Sequence, residues 1–269
     1  MIEAPARTNK LIQPKFVCTR GMLTNLLRTP FNTNKGWTIN AAKRNDTIYL
    51  SSAYREHDPP TDDERRFTSW GYKFAQYTLS DSPDTPPNMF MPVTESQTFF
   101  GVFQRCIGDN SVLFSSTIKG IQSETRVTEP LVLKNLELVD VMTNRVIDQY
   151  RIKRSFNKFK LLNSWSQGFL INTTKFLCGF RDDIGIVREL RSYSIDEMVQ
   201  MGRYYWNPVS CINFCDAFLT QVSETVVNDY DETIYRFERT PDKDFIHVRN
   251  LSPSEENNVT LPFQLEGME

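Results

Sequence analysis

The residue types that most often carry chemistry are sparse and scattered in this sequence. Its 269 residues include two histidines, His57 and His247, and neither lies in a recognisable motif. Cys211 and Cys215 are four residues apart and could share a helix face, but so few histidines disfavour a Cys/His zinc site. We expect both thiols to be small buried groups of the core. No glycine-rich phosphate-binding loop is present.

Two kinds of charged run could bind ions or phosphates. The acidic runs at 62–64 and 182–183 lie among turn-forming or charged residues, and we interpret them as solvated loops. The basic run at 153–160 could contact phosphates, because lysine and arginine release the counterions of a nucleic acid. The competing interpretation of this run is the solvent face of an amphipathic helix.

Composition and charge exclude several classes of protein. Lysine and arginine number 31 against 33 aspartates and glutamates, so a nucleic-acid site would have to be a local patch. The 39% hydrophobic and 12% aromatic residues predict a globular chain. We expect no signal peptide and no transmembrane helix, because no apolar run approaches about 18 residues. Five scattered cysteines are typical of a reducing, intracellular compartment, nuclear or cytoplasmic.

The elements that must position a site follow from periodicity and turn residues. Strands are predicted at 47–51, 99–103, 111–118, 136–143 and 176–180. Helices are predicted at 68–79, 154–170 and 216–227. The clearest helix is 154–170, because its aromatic and apolar residues fall on one face, namely Phe156, Phe159, Leu162, Trp165 and Phe169.

These elements predict an α/β (α+β) protein with a single domain at 18–238. A polar arm at 1–17 precedes the domain, and we expect it to be flexible. An acidic tail at 239–269 contains three prolines, and we expect it to be mobile. Area scaling predicts that about 73% of the unfolded surface is buried, so the core needs no disulfide.

Seven segments in the same order resemble the DXO family of RNA 5′-end decapping enzymes and 5′–3′ exonucleases. They lie at 20–31, 36–37, 47–51, 70–74, 160–170, 179–182 and 206–219, and include Trp-Gly-Tyr-Lys-Phe at 70–74 and Lys-Leu-Leu at 160–162. Each segment alone is a weak signal, but seven in order are specific. The resemblance covers roughly residues 18–237, and family members usually carry a longer N-terminal region.

The resemblance implies two mixed β-sheets flanked by helices, with a core like that of the restriction-type nucleases. In the family, a Glu-x-Asp on one strand, a Glu-x-Lys on the next and a Glu after the 70–74 motif converge on Mg²⁺ or Mn²⁺. Residues two apart on a strand face the same side, and hard cations prefer oxygen ligands. The metal activates water for attack on the phosphate. The resemblance also implies RNA contacts at Arg20, Lys73, Lys160 and Gln167.

The metal-binding positions of the family have changed in this chain. Ala75 stands in place of the helix glutamate, and Thr117 and Lys119 replace the Glu-x-Asp pair. Asp140 and Met142 replace the Glu-x-Lys pair. One carboxylate of four remains and a lysine faces it, so a dication has lost its electrostatic reason to bind. The strand that ends near Thr117 has no acidic residue that a shifted alignment could supply, and we expect no metal cofactor.

The sequence therefore predicts a catalytically inactive DXO-like protein, a pseudoenzyme. It would bind RNA 5′ ends or a protein partner in RNA processing, quality control or protection, with no membrane partner. The alternative is residual metal-dependent decapping or exonuclease activity by an altered mechanism. An open positive groove would favour RNA, and an exposed apolar patch would favour a protein. We also predict that Lys119 and Asp140 face one pocket and contact each other directly or through water.

Overall fold

The structure, a computed structural model, describes residues 13–53, 59–93, 98–128, 132–241, 243–252, 255 and 259. The strands are β1 (Phe16–Thr19), β2 (Trp37–Arg44), β3 (Thr47–Ser52), β4 (Phe99–Ile107), β5 (Asn110–Ile118), β6 (Gly120–Gln122), β7 (Glu137–Arg145), β8 (Lys175–Arg181), β9 (Val187–Tyr193), β10 (Tyr235–Arg239) and β11 (Ile246–Asn250). The α-helices are α1 (Arg20–Arg28), α2 (Asp62–Thr78), α3 (Tyr150–Ser155), α4 (Leu161–Ile171), α5 (Ile195–Gly202) and α6 (Pro208–Thr225).

The chain divides into two compact units. The first contains Met1–Arg55, Val102–Ser115 and Pro208–Glu269, and the second contains Glu56–Gly101 and Ser116–Asn207. Two mixed sheets flanked by helices confirm the predicted fold class. The single domain predicted over 18–238 stays a prediction. No helix in the described ranges is both long and apolar enough to cross a membrane.

Most of a seven-stranded sheet belongs to the first unit, in the order β11-β10-β2-β3-β1-β5-β4. Strand β1 is parallel to both of its neighbours, with Phe16 opposite Ile48 on one side and Val112 on the other. Phe16 is fully buried, so the strand begins inside the range predicted as a flexible arm. Residues 1–12 of that arm lie outside the described part of the chain.

The helices of the first unit complete its core. The Thr19 side chain accepts a hydrogen bond from the Met22 amide and so caps the start of α1. Helix α6 begins at Pro208, earlier than the predicted start at 216, because proline is well suited to a first helical turn. Cys211 and Cys215 lie on its buried face, which confirms the expectation that they are core residues.

The four-stranded sheet of the second unit has the order β6-β7-β8-β9. Strand β7 runs parallel to β8 and antiparallel to β6, and α2 packs against β7. Helix α2 begins at Asp62, so the prediction of a solvated loop at 62–64 was wrong. The Thr61 hydroxyl caps the Glu64 amide, and the Glu64 carboxylate accepts from the Thr61 amide. This capping box is visible in the sequence as Thr-x-x-Glu, and it marks the helix start that the prediction missed.

A π-helical turn, Phe156–Lys160, joins α3 to α4 into one continuous helix. The Leu161 amide donates to the Phe156 carbonyl five residues back, which leaves the Asn157 carbonyl outside the helical ladder. The Trp206 indole N–H donates to that carbonyl at 2.9 Å. The π turn rotates Phe159 off the apolar face on which periodicity placed it, and 39% of this residue is exposed.

The predicted acidic tail contains ordered structure. Strand β11 pairs antiparallel with β10, and Arg249 of β11 lies opposite Arg236 of β10. The Arg249 guanidinium donates two hydrogen bonds to the Glu255 carboxylate, which also accepts from the amide and hydroxyl of Ser252. These donors hold the pKa of Glu255 at about 2, below its ordinary value of 4.5. Residues 246–250 thus form a strand inside the range predicted as a mobile tail, and the mobility of that tail stays a prediction.

We predict that Glu255→Gln loosens β11, because the neutral amide cannot accept two charge-assisted hydrogen bonds from Arg249. Hydrogen exchange of the β11 amides should become several-fold faster, while the exposed control Glu224→Gln leaves it unchanged. The depressed pKa means that this contribution is present above pH 4.5 and is lost as the pH falls toward about 2. Equal exchange in Glu255→Gln and the parent chain would contradict the prediction.

Candidate functional site

Lys119 and Asp140 meet in the second unit through strand register. Strand β6 pairs Gly120 with Val139 in an antiparallel ladder, so one step outward places Lys119 opposite Asp140. The Lys119 Nζ lies 2.8 Å from the Asp140 Oδ1. The predicted direct contact is therefore present, between two positions that the resemblance to the DXO family aligns with metal-binding carboxylates.

The contact is an ion pair more than a hydrogen bond. The Lys119 ammonium donates to the Val141 carbonyl at 2.8 Å, and its approach to the Asp140 Oδ1 lacks hydrogen-bond geometry. Coulomb attraction at 2.8 Å does not require that geometry. The Asp140 side chain is 9% exposed and the Lys119 side chain 43%, so the acid is desolvated while water still reaches the base.

The other former metal positions offer poor ligands. Ala75 lies half-buried on α2 and has only a methyl side chain. Thr117 lies half-buried near the end of β5, on the strand face opposite to Ser116 and Ile118. Met142 is buried two residues beyond Asp140, and its sulfur accepts a weak hydrogen bond from the Ser164 hydroxyl.

These residues do not fit a divalent metal ion. Mg²⁺ and Mn²⁺ prefer several oxygen ligands, with carboxylates supplying negative charge. Across the residues that the structure describes, no group of three His, Cys, Asp or Glu side chains is placed to hold a metal. The remaining carboxylate, Asp140, already faces an ammonium at 2.8 Å. A dication there would have to displace the cation of Lys119.

Lys160 brings a second cation to Asp140. It ends the π turn and is half-buried, and burial lowers its pKa. Cys178 and Asp140 raise that pKa, while Lys119 and Arg181 lower it, so all four groups lie within electrostatic reach. Two lysines, Lys119 and Lys160, therefore interact electrostatically with the single carboxylate of Asp140. Two positive charges beside one negative charge disfavour a metal ion.

The remaining predicted RNA-binding residues are placed separately. Arg20 is the first residue of α1 in the first unit, and Gln167 lies half-buried on α4 in the second. The Lys73 ammonium donates to the carbonyls of Met89 and Met91, so two of its three donors hold a loop. An RNA contact at each of these positions stays a prediction.

Sequence reasoning did not single out Arg181, which lies within electrostatic reach of Lys160. Its guanidinium lies over the rings of Trp70 and Phe67, with 4.4 Å and 4.7 Å to the ring centroids. Burial lowers its pKa, and the stacked rings replace part of the lost hydration. The signal was available, because Trp70 and Arg181 lie in two of the segments that carried the family resemblance.

The two mixed sheets flanked by helices are those of a class, the PD-(D/E)XK type of nuclease fold. The family model described as RAI1-like PD-(D/E)XK nuclease matches residues 1–265, and the chain belongs to this family. The relatives that it matches are named decapping nucleases. The human decapping and exoribonuclease protein is 32% identical over 235 residues. The Neurospora crassa decapping nuclease RAI1 is 25% identical over 257 residues.

The chain is shorter than these relatives. The human alignment covers 84% of this chain and 58% of that protein, and the Neurospora alignment covers 87% and 60%. Among solved structures, Scheffersomyces stipitis Rai1 with (3′-NADP)⁺ and calcium superposes with a TM-score of 0.79 at 19% identity, covering 92% of this chain and 70% of that one. Kluyveromyces lactis Dxo1 with manganese gives 0.63 at 12% identity, covering 90% and 67%.

We predict that Lys119→Ala destabilises the protein, because it leaves the buried Asp140 carboxylate without its cation. The expected loss in the free energy of unfolding is about 1–3 kcal/mol, below the value for a fully buried pair, because water reaches Lys119. Chemical denaturation measures this, with the exposed Lys153→Ala as a control. Lys119→Met combined with Asp140→Leu should cost less than Lys119→Ala alone; a larger loss would contradict the ion-pair account.

Proposed function

We propose that this protein is a catalytically inactive member of its nuclease family that binds RNA 5′ ends without cleaving them. The observation that supports this most directly is the Lys119–Asp140 contact at 2.8 Å, where relatives are expected to hold a metal. Without a bound dication, no group there can activate water or stabilise the leaving oxygen by the route of the family. RNA binding can persist after catalysis is lost, because lysine and arginine side chains bind phosphates without a metal ion.

Support for an RNA ligand comes from structural relatives. Candida albicans Rai1 has been crystallised with pU5 and Mn²⁺, and Schizosaccharomyces pombe Rai1 with 3′-FADP. For this chain we carry over the class of ligand alone, a phosphorylated nucleotide or RNA end. Arg20, Lys160 and Gln167 are the residues that we propose to contact it. The proposal places the protein in RNA processing or protection inside the cell, in the nucleus or the cytoplasm.

A protein-binding role is the second candidate, and one surface feature favours it. Met89, Phe90 and Met91 are exposed, and 94% of Phe90 is in contact with solvent. Lys73 and Gln76 donate hydrogen bonds to the carbonyls of this loop, so its backbone is fastened to α2. A fastened loop that presents three apolar side chains is a favourable arrangement for docking on a protein.

We predict that the purified protein with Mn²⁺ neither releases caps nor degrades RNA with a 5′ monophosphate or 5′ triphosphate. The reason is the loss of carboxylate ligands at Ala75, Thr117 and Lys119. Calorimetric titration with Mn²⁺ should show no binding at this site. Activity that requires Mn²⁺ and disappears in Asp140→Ala would instead establish the alternative, a residual enzyme.

A variant that restores the family pattern provides the matched control for that experiment. It combines Ala75→Glu, Thr117→Glu, Lys119→Asp, Asp140→Glu and Met142→Lys. Adding three carboxylates and lengthening the fourth should bring back Mn²⁺ binding, because the ligand set and the negative charge return together. The parent chain and this variant then differ only at the positions under test.

We predict that Arg20→Ala weakens the binding of 5′-phosphorylated single-stranded RNA by about tenfold, the loss expected for one charge-assisted hydrogen bond. Affinity should also fall as salt rises, because bound cations release counterions. Fluorescence anisotropy measures both, with Lys35→Ala, which removes an exposed cation of the first unit, as the control. An absence of RNA binding would favour the protein partner, and Phe90→Ala would then be tested against it.

A further inference from the structure

A large cavity in the second unit is lined by Lys160, which the resemblance assigns to RNA, and by other residues to which it assigns no role. Its volume is about 630 Å³, within the range of about 300–1,000 Å³ typical of ligand pockets. The C-terminal end of β7, helix α3 and the π turn form its walls. Its polar lining includes Asn144, Arg145, Arg151, Lys160 and Asn163.

The charge of this cavity is positive. Three of its lining residues are cations and none is acidic. Arg145 is paired with Asp183 at 2.9 Å. The side chains of Arg151 and Lys160 form no hydrogen bond or ion pair with any residue in the described ranges. Two cations without a hydrogen-bond or ion-pair partner at one cavity, one of them half-buried, are suited to an anion.

The backbone and the apolar lining narrow the class of anion. The cavity is built on the π turn, a rare distortion that occurs frequently at functional sites. That turn carries Phe159 into the lining, where part of its ring is exposed. Ile152 and the buried Phe156 extend the apolar wall. A ligand suited to both the cationic and the apolar parts of the lining has a phosphate and a flat, largely apolar group. This is the chemistry of a nucleotide.

We propose that this cavity binds a 5′-phosphorylated nucleotide, with the phosphate at Arg151 and Lys160 and the base against Phe159. The nucleotide is either free in solution or the terminal residue of an RNA. In the second case the inference rests on the proposed function, because it assigns the residues that receive the RNA end. Lys160 then binds the phosphate in the cavity and also interacts electrostatically with Asp140.

The test measures the affinity of the purified full chain for three probes, which are inorganic phosphate, adenosine 5′-monophosphate and a 5′-phosphorylated RNA oligonucleotide. Arg151→Ala and Lys160→Met should each weaken binding of the monophosphate by about tenfold. Phe159→Ala should weaken the binding of adenosine 5′-monophosphate but leave the binding of inorganic phosphate unchanged. Lys153→Ala is the control for charge, because Lys153 is exposed on the same helix and does not line the cavity.

The outcomes separate this inference from the proposed function. If Arg20→Ala weakens RNA binding while Arg151→Ala and Phe159→Ala leave RNA and monophosphate binding unchanged, the cavity assignment fails and the proposed function stands. If the monophosphate binds through Arg151 and Phe159 but RNA does not bind, the cavity takes a free nucleotide and the proposed function fails. If neither the monophosphate nor the RNA oligonucleotide binds the parent chain, the cavity assignment is overturned. Comparable melting temperatures show that the variants are folded.

Discussion

A buried carboxylate must be neutralised, and this requirement governs the Lys119–Asp140 contact of the second unit. Asp140 lies inside the sheet, where an uncompensated charge is costly. The Lys119 ammonium lies 2.8 Å from its Oδ1 atom. The antiparallel register of β6 and β7 makes that placement automatic, since it sets the two residues opposite each other. The Lys119 ammonium thereby compensates the buried charge of Asp140 within the nuclease fold.

The helix that faces this sheet shows how an irregular helical turn and packing by a residue distant in the sequence are connected. The π turn frees the Asn157 carbonyl, and the Trp206 indole satisfies it from 49 residues away. Trp206 can come this close because Gly202 has no side chain; a Cβ there would lie 2.2 Å from the indole ring. The same turn directs Phe159 and Lys160 toward the cavity. A glycine, a tryptophan and one irregular helical turn thus act together to shape the cavity.

Patterns that act over a few residues were sufficient for much of the fold and for the Lys119–Asp140 contact. Sheet pairing fixes which strand positions face one another, so the contact followed from the family's strand pattern. The exposure of Phe159 could not be predicted in this way. A π turn shifts the positions of the following side chains around the helix axis, and a regular hydrophobic period does not reveal that shift. Strand β11 was missed because its residues are mostly polar and exposed, and its order depends on pairing with β10 and on Glu255. The start of α2 was missed although its capping box was readable in the sequence.

The order of the strands in the first unit has a consequence for synthesis on the ribosome. Strand β2 is made early, yet its partner β10 follows much later; Arg236 and the Asn40 side chain that it contacts are 196 residues apart. At about 5–20 residues per second, β2 waits roughly 10–40 s for that neighbour. During this interval its open edge can pair with other chains. The second unit lies almost wholly within that interval, so a nascent chain would hold one nearly complete unit and one that still depends on its last-made strands.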